Sequence, residues 1–133
     1  MKKNFQKLVF IFLFLVCQSS FSQTPDKAYT TISTTEFQKL IQKRKTTLLD
    51  VRTPEEFQKS HLKGAININY NDPNFKNLIQ GLDKKKKILV YCASGRRSAK
   101  SCDLLQESNF KNIYNLDGGI NAWLKESLPI EEN

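Results

Sequence analysis

The sequence has few residues that bind metal ions or form covalent cross-links. Its 133 residues include three cysteines and a single histidine, with only five glycines and four prolines. One histidine and so few cysteines do not supply the ligands of a zinc site, so we expect no metal ion and no other cofactor. The scarcity of glycine and proline also argues against a low-complexity or linker-rich chain.

Long apolar runs are also missing, apart from the ten residues Leu8–Cys17. Ten residues are too few to span a bilayer as a helix. Lysines precede this run and the polar, small residues Gln18–Ser22 follow it, which is the three-part pattern of a secretory signal peptide. We therefore predict that residues 1–22 are a cleaved signal peptide and that the mature protein is exported to the periplasm. A lipoprotein anchored through Cys17 is the alternative.

The rest of the chain has the length of one domain. We expect a lead-in at residues 23–28, a domain at 29–128 and a tail at 129–133. Loss of the signal peptide lowers the formal charge from +8 to +5, because three lysines and no acidic residue leave with it. We predict that the basic run Lys84–Lys87 is a solvent-exposed surface without a binding role. We expect no nucleic-acid partner and, after signal cleavage, no stable membrane association.

Short apolar segments alternate with helical patterns along the domain. The predicted strands are Tyr29–Ile32, Thr46–Val51, Ala65–Ile68, Ile88–Tyr91 and Asn112–Leu116. This alternation predicts an α/β fold in which a central parallel β-sheet carries helices on both faces. Ligands of such sheets bind beyond the carboxyl ends of the strands, where Asp50, Cys92 and Asp117 fall.

The stretch from Lys87 to Ser98 has the strongest chemical character in the chain. An apolar strand runs into Cys92, and a helix is predicted at Ser98–Ser108. Between them, Gly95 permits a sharp turn whose N–H groups can form an anion-binding nest. The start of the helix adds a partial positive charge.

Two arginines, Arg96 and Arg97, follow this glycine and add full positive charges. Such surroundings lower the pKa of a thiol, so Cys92 is a candidate nucleophile for an anionic substrate. The alternative is a buried, inert cysteine beside solvated arginines.

Other residue types that often carry chemistry have structural interpretations here. His61 is a candidate general base, but its place at the end of a helix favours a structural hydrogen bond. Cys102 follows the inward stripe of its helix, and Trp123 is expected to anchor the last helix to the sheet.

Four blocks of sequence resemble the rhodanese homology domain in the same order: LLDVRTPEEF, SHLKGAINI, VYCASGRRS and YNLDGGINAW. The resemblance covers about Tyr29 to Glu126, and Ser60 stands where the family often has glycine. It implies a single-domain sulfurtransferase in which Cys92 carries a persulfide. The donor would be a small anion such as thiosulfate, and the acceptor would be cyanide or a thiol.

The resemblance also implies roles for the residues around the cysteine. Those expected to bind the substrate are Ala93, Ser94, Gly95, Arg96, Arg97 and Ser98. Asp50 and Arg52 are expected to support the loop, with Asp50 as a partner for a loop arginine or for the loop backbone. We expect a monomer or a weak homodimer.

Two alternatives remain open. Cysteine-based phosphatases of related fold place an arginine six residues after the cysteine, whereas here Ser98 occupies that position and Arg97 stands one residue earlier. This spacing favours sulfur over phosphate chemistry. A non-catalytic rhodanese-like sulfur-binding or interaction module is the second alternative, although such modules usually lack the cysteine.

Overall fold

The computed structural model describes residues 26–133, so the predicted signal peptide lies outside the described residues. The helices in this part of the chain are α1 (Thr34–Ile41), α2 (Pro54–Lys59), α3 (Phe75–Ile79), α4 (Arg96–Glu107) and α5 (Gly119–Lys125). The strands are β1 (Tyr29–Ile32), β2 (Thr46–Asp50), β3 (Ser60–His61), β4 (Ile66–Asn67), β5 (Lys87–Tyr91), β6 (Ile113–Leu116) and β7 (Glu131–Glu132). None of the described helices is both long and apolar enough to cross a membrane.

Five strands form one parallel sheet in the order β1-β6-β5-β2-β4. Strand β5 lies at its centre and is nearly all buried, as its continuous apolar sequence requires of a strand covered on both faces. The predicted α/β architecture is therefore confirmed.

Two apolar clusters fill the space between the sheet and its helices. On one face, Cys102 and Leu105 of α4 and Phe75 of α3 pack against alternate residues of the strands. On the other face, Phe37 of α1 and Trp123 of α5 do the same. Because side chains alternate across a strand, each central strand contributes to both clusters and links the two halves of the core.

The end of β5 differs from its predicted form. Helix α4 begins at Arg96, two residues before the predicted start at Ser98. Gly95 is its N-cap with a φ of +100°, a left-handed conformation that turns the chain within one residue. Both arginines therefore lie in the first turn of the helix and not in the loop. Strand β4 is also shorter than predicted, at Ile66–Asn67 instead of Ala65–Ile68.

The segment predicted as a tail, residues 129–133, contains β7. This strand pairs antiparallel with β3, and the carbonyl of Pro129 accepts a hydrogen bond of 3.0 Å from the indole N–H of Trp123. Ser60 in β3 is extended, with a φ of −164°, so this position does not require glycine.

Candidate functional site

Cys92 follows the central strand directly and lies at the carboxyl edge of the sheet. Its side chain packs into the cluster beneath α4, and only 1% of the residue is exposed. The chain then turns through Ala93–Gly95 into α4, whose first turn faces back towards the sulfur. A nucleophile at this place lies at the positive end of a twelve-residue helix.

Two donors within the loop and helix contact the sulfur. The N–H of Gly95 lies 3.1 Å from Cys92 Sγ, and the hydroxyl of the fully buried Ser98 lies 3.4 Å from it. Burial raises the pKa of the Cys92 thiol, but hydrogen bonds from Ser98 and from the N–H groups of Gly95 and Ser94 outweigh burial and hold the pKa below its ordinary value. These contacts stabilise the thiolate, the reactive form of a cysteine.

The start of α5 holds the loop from its other side. The N–H groups of Ile120 and Asn121 donate to the carbonyls of Cys92 and Ala93 at 2.9 and 3.0 Å. A Cβ atom on Gly119 would lie 2.5 Å from both of these carbonyl oxygens. The absence of a side chain at Gly119 therefore lets α5 approach the backbone of the cysteine loop.

The two arginines have different surroundings. Arg96 is exposed and makes no ion pair among the described residues. Arg97, which is also predicted to bind substrate, forms a bidentate pair with Glu56 of α2, with Nη1–Oε2 at 2.8 Å and Nη2–Oε1 at 2.9 Å. Arg96 is therefore the arginine of this pair whose charge is available to an anion.

Sequence reasoning did not identify Glu56 as a site residue. It lies at the start of α2, where it completes a capping box with Thr53. The Arg97 guanidinium and, against the effect of burial, the N–H of Thr53 lower the pKa of Glu56 to about 2. Its position in the capping motif was the one feature that set it apart from neighbouring carboxylates.

Asp50 was predicted to bond a loop arginine or the loop backbone, but its carboxylate bonds neither an arginine of α4 nor the backbone of residues 93–95. The Arg52 guanidinium donates hydrogen bonds to this carboxylate, with Nη2–Oδ2 at 2.7 Å and Nε within 3.0 Å of both oxygens. Burial disfavours the charge of Arg52, but Asp50 outweighs it and raises the arginine pKa. Arg52 also donates to the carbonyl of Ser60 at 2.7 Å. This buried pair fixes the start of the β2–α2 connection and, through it, the helix that carries Glu56.

The remaining candidates lie outside these contacts. Cys102 is fully buried, and burial raises its thiol pKa. The ring of His61 stacks on Phe57, its Nδ1 lies 3.0 Å from the Phe57 carbonyl, and its Nε2 lies 3.2 Å from a carboxylate oxygen of Glu131. Asp117 is exposed. Across residues 26–133, no group of three or more His, Cys, Asp or Glu side chains is placed to hold a metal ion.

Comparison with known proteins is consistent with this arrangement. The family model described as the rhodanese-like domain matches residues 33–126. Thiosulfate sulfurtransferase 16, chloroplastic, from Arabidopsis thaliana is 37% identical over 91 residues, which cover 61% of this chain and 76% of that protein. Thiosulfate sulfurtransferase GlpE from Vibrio cholerae is 29% identical over 94 residues, covering 71% of this chain and 87% of the relative.

A solved structure shares the same fold. The crystal structure of a rhodanese-related protein from Thermoplasma volcanium superposes with a TM-score of 0.69 at 31% sequence identity, covering 77% of this chain and 98% of the other. The family match spans four of the five strands of the sheet, the cysteine loop and the helices that hold it. The chain belongs to the rhodanese-like domain family.

Proposed function

We propose that this protein is a sulfurtransferase that moves sulfane sulfur from a small anionic donor such as thiosulfate to cyanide or a thiol. The observation that carries the proposal is the geometry of Cys92 Sγ, which accepts hydrogen bonds from the Gly95 N–H and the Ser98 hydroxyl at the start of α4. The relatives named thiosulfate sulfurtransferase support the same reaction class.

The first half-reaction forms a covalent intermediate. The Cys92 thiolate attacks the outer sulfur of thiosulfate, a new S–S bond forms, and the old S–S bond breaks. Sulfite leaves with the electron pair of that bond. The cysteine is left as a persulfide whose terminal sulfur is negative at neutral pH, and the N–H groups of the loop are placed to stabilise this charge.

The second half-reaction regenerates the thiolate. Cyanide attacks the terminal sulfur, thiocyanate leaves, and the S–S bond electrons return to Cys92 Sγ. A thiol acceptor attacks in the same way as its thiolate and becomes a persulfide. No external base is needed to activate Cys92, because its hydrogen bonds already favour the charged form.

The arginine spacing favours this reaction over phosphate-ester hydrolysis. The position six residues after Cys92 is Ser98, whose buried hydroxyl faces the sulfur, and Arg97 at position five is paired with Glu56. A phosphate dianion in the loop would therefore meet one available guanidinium, that of the exposed Arg96.

The decisive experiment is the intact mass of residues 23–133 before and after thiosulfate, and again after cyanide. We expect a gain of one sulfur atom, about 32 Da, that cyanide removes, as the covalent intermediate of nucleophilic catalysis requires. Cys92→Ser should fold and lack the gain, whereas Cys102→Ser should show it. Full sulfurtransferase activity of the Cys92→Ser protein would disprove the mechanism. If the wild-type protein does not gain the mass of one sulfur atom, a phosphatase or a binding module is favoured.

We further propose that the protein is exported and that residues 1–22 are removed. Intact mass of protein recovered from the cell envelope tests this. A chain starting at Gln23 is the expected result, and a lipid-modified chain starting at Cys17 would replace it with the lipoprotein alternative.

A further inference from the structure

The amino ends of neighbouring strands bring separate basic loops together at the edge of the sheet opposite Cys92. Thr46 of β2 is in register with Lys87 of β5, and Ile88 of β5 with Ile113 of β6. The carbonyl of Lys45 accepts the N–H of Lys87 at 3.0 Å, so the loops that enter these strands begin side by side.

Seven cations project from the three loops. We define the amino-edge basic surface by these residues: Lys43, Arg44, Lys45, Lys84, Lys85, Lys86 and Lys111. All are exposed except Lys86, which is half-buried. Asp83 is the one carboxylate in the same loops, and among residues 26–133 none of the seven cations forms an ion pair. With Asp83 subtracted, this edge carries an excess of six positive charges, more than the excess of five on the whole described chain.

Helix dipoles explain only part of this surface. Helices return towards the amino ends of parallel strands, and cations near helix carboxyl ends are favourable. This accounts for the basic residues 43–45, which follow α1 within a few residues. It does not account for Lys84–Lys86, because α3 ends at Ile79 and several residues separate the two. Three consecutive lysines there repel one another unless an anion is nearby.

The N-terminal segment enters the domain at the same edge. Tyr29 of β1 is in register with Ile113, so the preceding residues lie beside the loop of Lys111. Gln106 near the end of α4 holds this entrance through the N–H of Ala28 at 3.1 Å. Eleven residues separate the apolar run Leu8–Cys17 from Tyr29, and a chain of that length extends at most about 40 Å. In the lipoprotein alternative, a chain attached to the membrane through Cys17 would keep the basic edge close to the bilayer.

We propose that the amino-edge basic surface binds the anionic headgroups of a membrane reversibly, with the Cys92 edge turned towards solvent. Such a reversible contact differs from the stable association that the sequence did not lead us to expect. Basic clusters beside a membrane attachment bind anionic lipid, and a weak single anchor gains from such a second contact. A single-stranded nucleic acid fits less well, since no aromatic side chain projects from the three loops to stack on a base. The Phe110 ring lies beneath Lys84 and is only 1% exposed.

The test uses residues 23–133, which contain both core clusters and lack the N-terminal segment, so that binding reports the basic surface alone. Sedimentation with phosphatidylcholine vesicles, with and without phosphatidylglycerol, gives the partition coefficient. The variant Lys84→Gln, Lys85→Gln, Lys86→Gln is compared with Lys59→Gln, Lys63→Gln, Lys100→Gln. The second set loses the same charge from exposed lysines outside the three loops.

We expect binding only to vesicles that contain phosphatidylglycerol, with a decrease as salt screens the charges. The first variant should lose at least about tenfold in partition coefficient and the control less than about twofold. Equal losses in both variants would mean that net charge alone acts and would overturn the proposal. So would the absence of binding at low salt, or tighter binding to DNA or to polyglutamate than to the vesicles. Sulfur transfer should be the same in all three proteins, so failure here leaves the proposed reaction untouched.

Discussion

At Cys92, neutral donors hold the sulfur more directly than the neighbouring arginines do. The contacts to Sγ come from the Ser98 hydroxyl and the Gly95 N–H, while Arg97 is paired with Glu56. Hydrogen bonds at fixed short distance act on the thiolate itself and are little screened, whereas exposed charges act through solvent. Arg96 is therefore expected to attract the substrate and Arg97 to stabilise the fold through Glu56, and substitutions can test the two roles separately.

Arg96→Ala should raise the KM for thiosulfate by about fivefold with a smaller change in kcat. The side chain is exposed and has no ion-pair partner among residues 26–133, so its interaction with a bound dianion is a screened attraction of ~1 kcal/mol. Steady-state kinetics at two salt concentrations checks this, since the effect should shrink at high salt. Lys100→Ala, which removes an exposed cation one turn further along α4, is the matched control. Equal effects of the two substitutions would contradict a local role for Arg96.

Glu56→Gln should lower the stability of the protein at neutral pH, and this difference should shrink as pH falls from 4.5 and through about 2. The pKa of Glu56 falls from 4.5 to about 2 in the folded state, so its charged pair with Arg97 stabilises the fold above the unfolded value and is lost as pH falls through the folded value. Thermal unfolding of both proteins across this range gives the difference. Gln retains the capping box, so the helix start is preserved.

The matched control for this variant is Glu55→Gln. This exposed neighbour loses the same charge and has no ion-pair partner among the described residues. Its melting temperature should stay close to that of the wild type throughout. A Glu56→Gln difference that did not change with pH would show that the loss comes from packing and not from the charge pair.

At the scale of elements, the cysteine loop is held by two helix starts that meet across it. Helix α4 supplies donors to the sulfur, and α5 supplies donors to the carbonyls of Cys92 and Ala93. The contact between α5 and the loop depends on a glycine, because a side chain at Gly119 would overlap the two carbonyl oxygens. The loop conformation is thus a property of the β5–α4 and β6–α5 connections together.

Gly119→Ala should destabilise the protein by about 2–4 kcal/mol, from the cost of a left-handed alanine and of the overlap. It should also lower kcat, since the loop must move. Denaturant unfolding and single-turnover sulfur transfer measure the two effects. Gly64→Ala is the control, since Gly64 also has a positive φ, +81°, but no atom lies within 4 Å of the added Cβ. Gly64→Ala should lose only the free energy of a left-handed alanine and keep full activity. The same result for Gly119→Ala would show that the contact between α5 and the cysteine loop does not affect catalysis.

At the scale of the whole molecule, the two edges of the sheet differ in character. The carboxyl edge carries the cysteine loop with its hydrogen-bonded and ion-paired side chains, and the amino edge carries cations without ion-pair partners among residues 26–133. A short antiparallel pair, β3 and β7, ties the end of the chain to the connection after α2. Closure of the domain therefore depends on residues beyond Leu128.

Deletion of residues 129–133 should lower the melting temperature and leave sulfur transfer intact. Trp123, only 3% exposed, loses the Pro129 carbonyl as acceptor for its indole N–H. An unpaired buried donor costs about 1–3 kcal/mol, and each kcal/mol corresponds to roughly 4–8 °C in a domain of this size. Deletion of 131–133 alone, which keeps Pro129, should have a smaller effect. Equal melting temperatures for the wild type and the longer deletion would contradict a structural role for this segment.

The sequence by itself determined the architecture and the position of the nucleophile. The alternation of apolar segments with helical patterns predicted the parallel sheet, and the Cys92–Ser98 stretch predicted a loop at the carboxyl end of its central strand. These features are local: hydrophobic periodicity and the conformational freedom of Gly95 act within a few residues of chain.

Only the tertiary structure decided which charges meet. Glu56 and Arg97 are 41 residues apart in the chain, and Asp50 pairs with Arg52 instead of an arginine of α4. Likewise, the sequence predicted only a solvated face for Lys84–Lys87, whereas the strand order places other basic loops beside this run. Side-chain pairing depends on strand order, register and the start of each helix, and long flexible charged side chains carry no periodic pattern that would reveal these in advance.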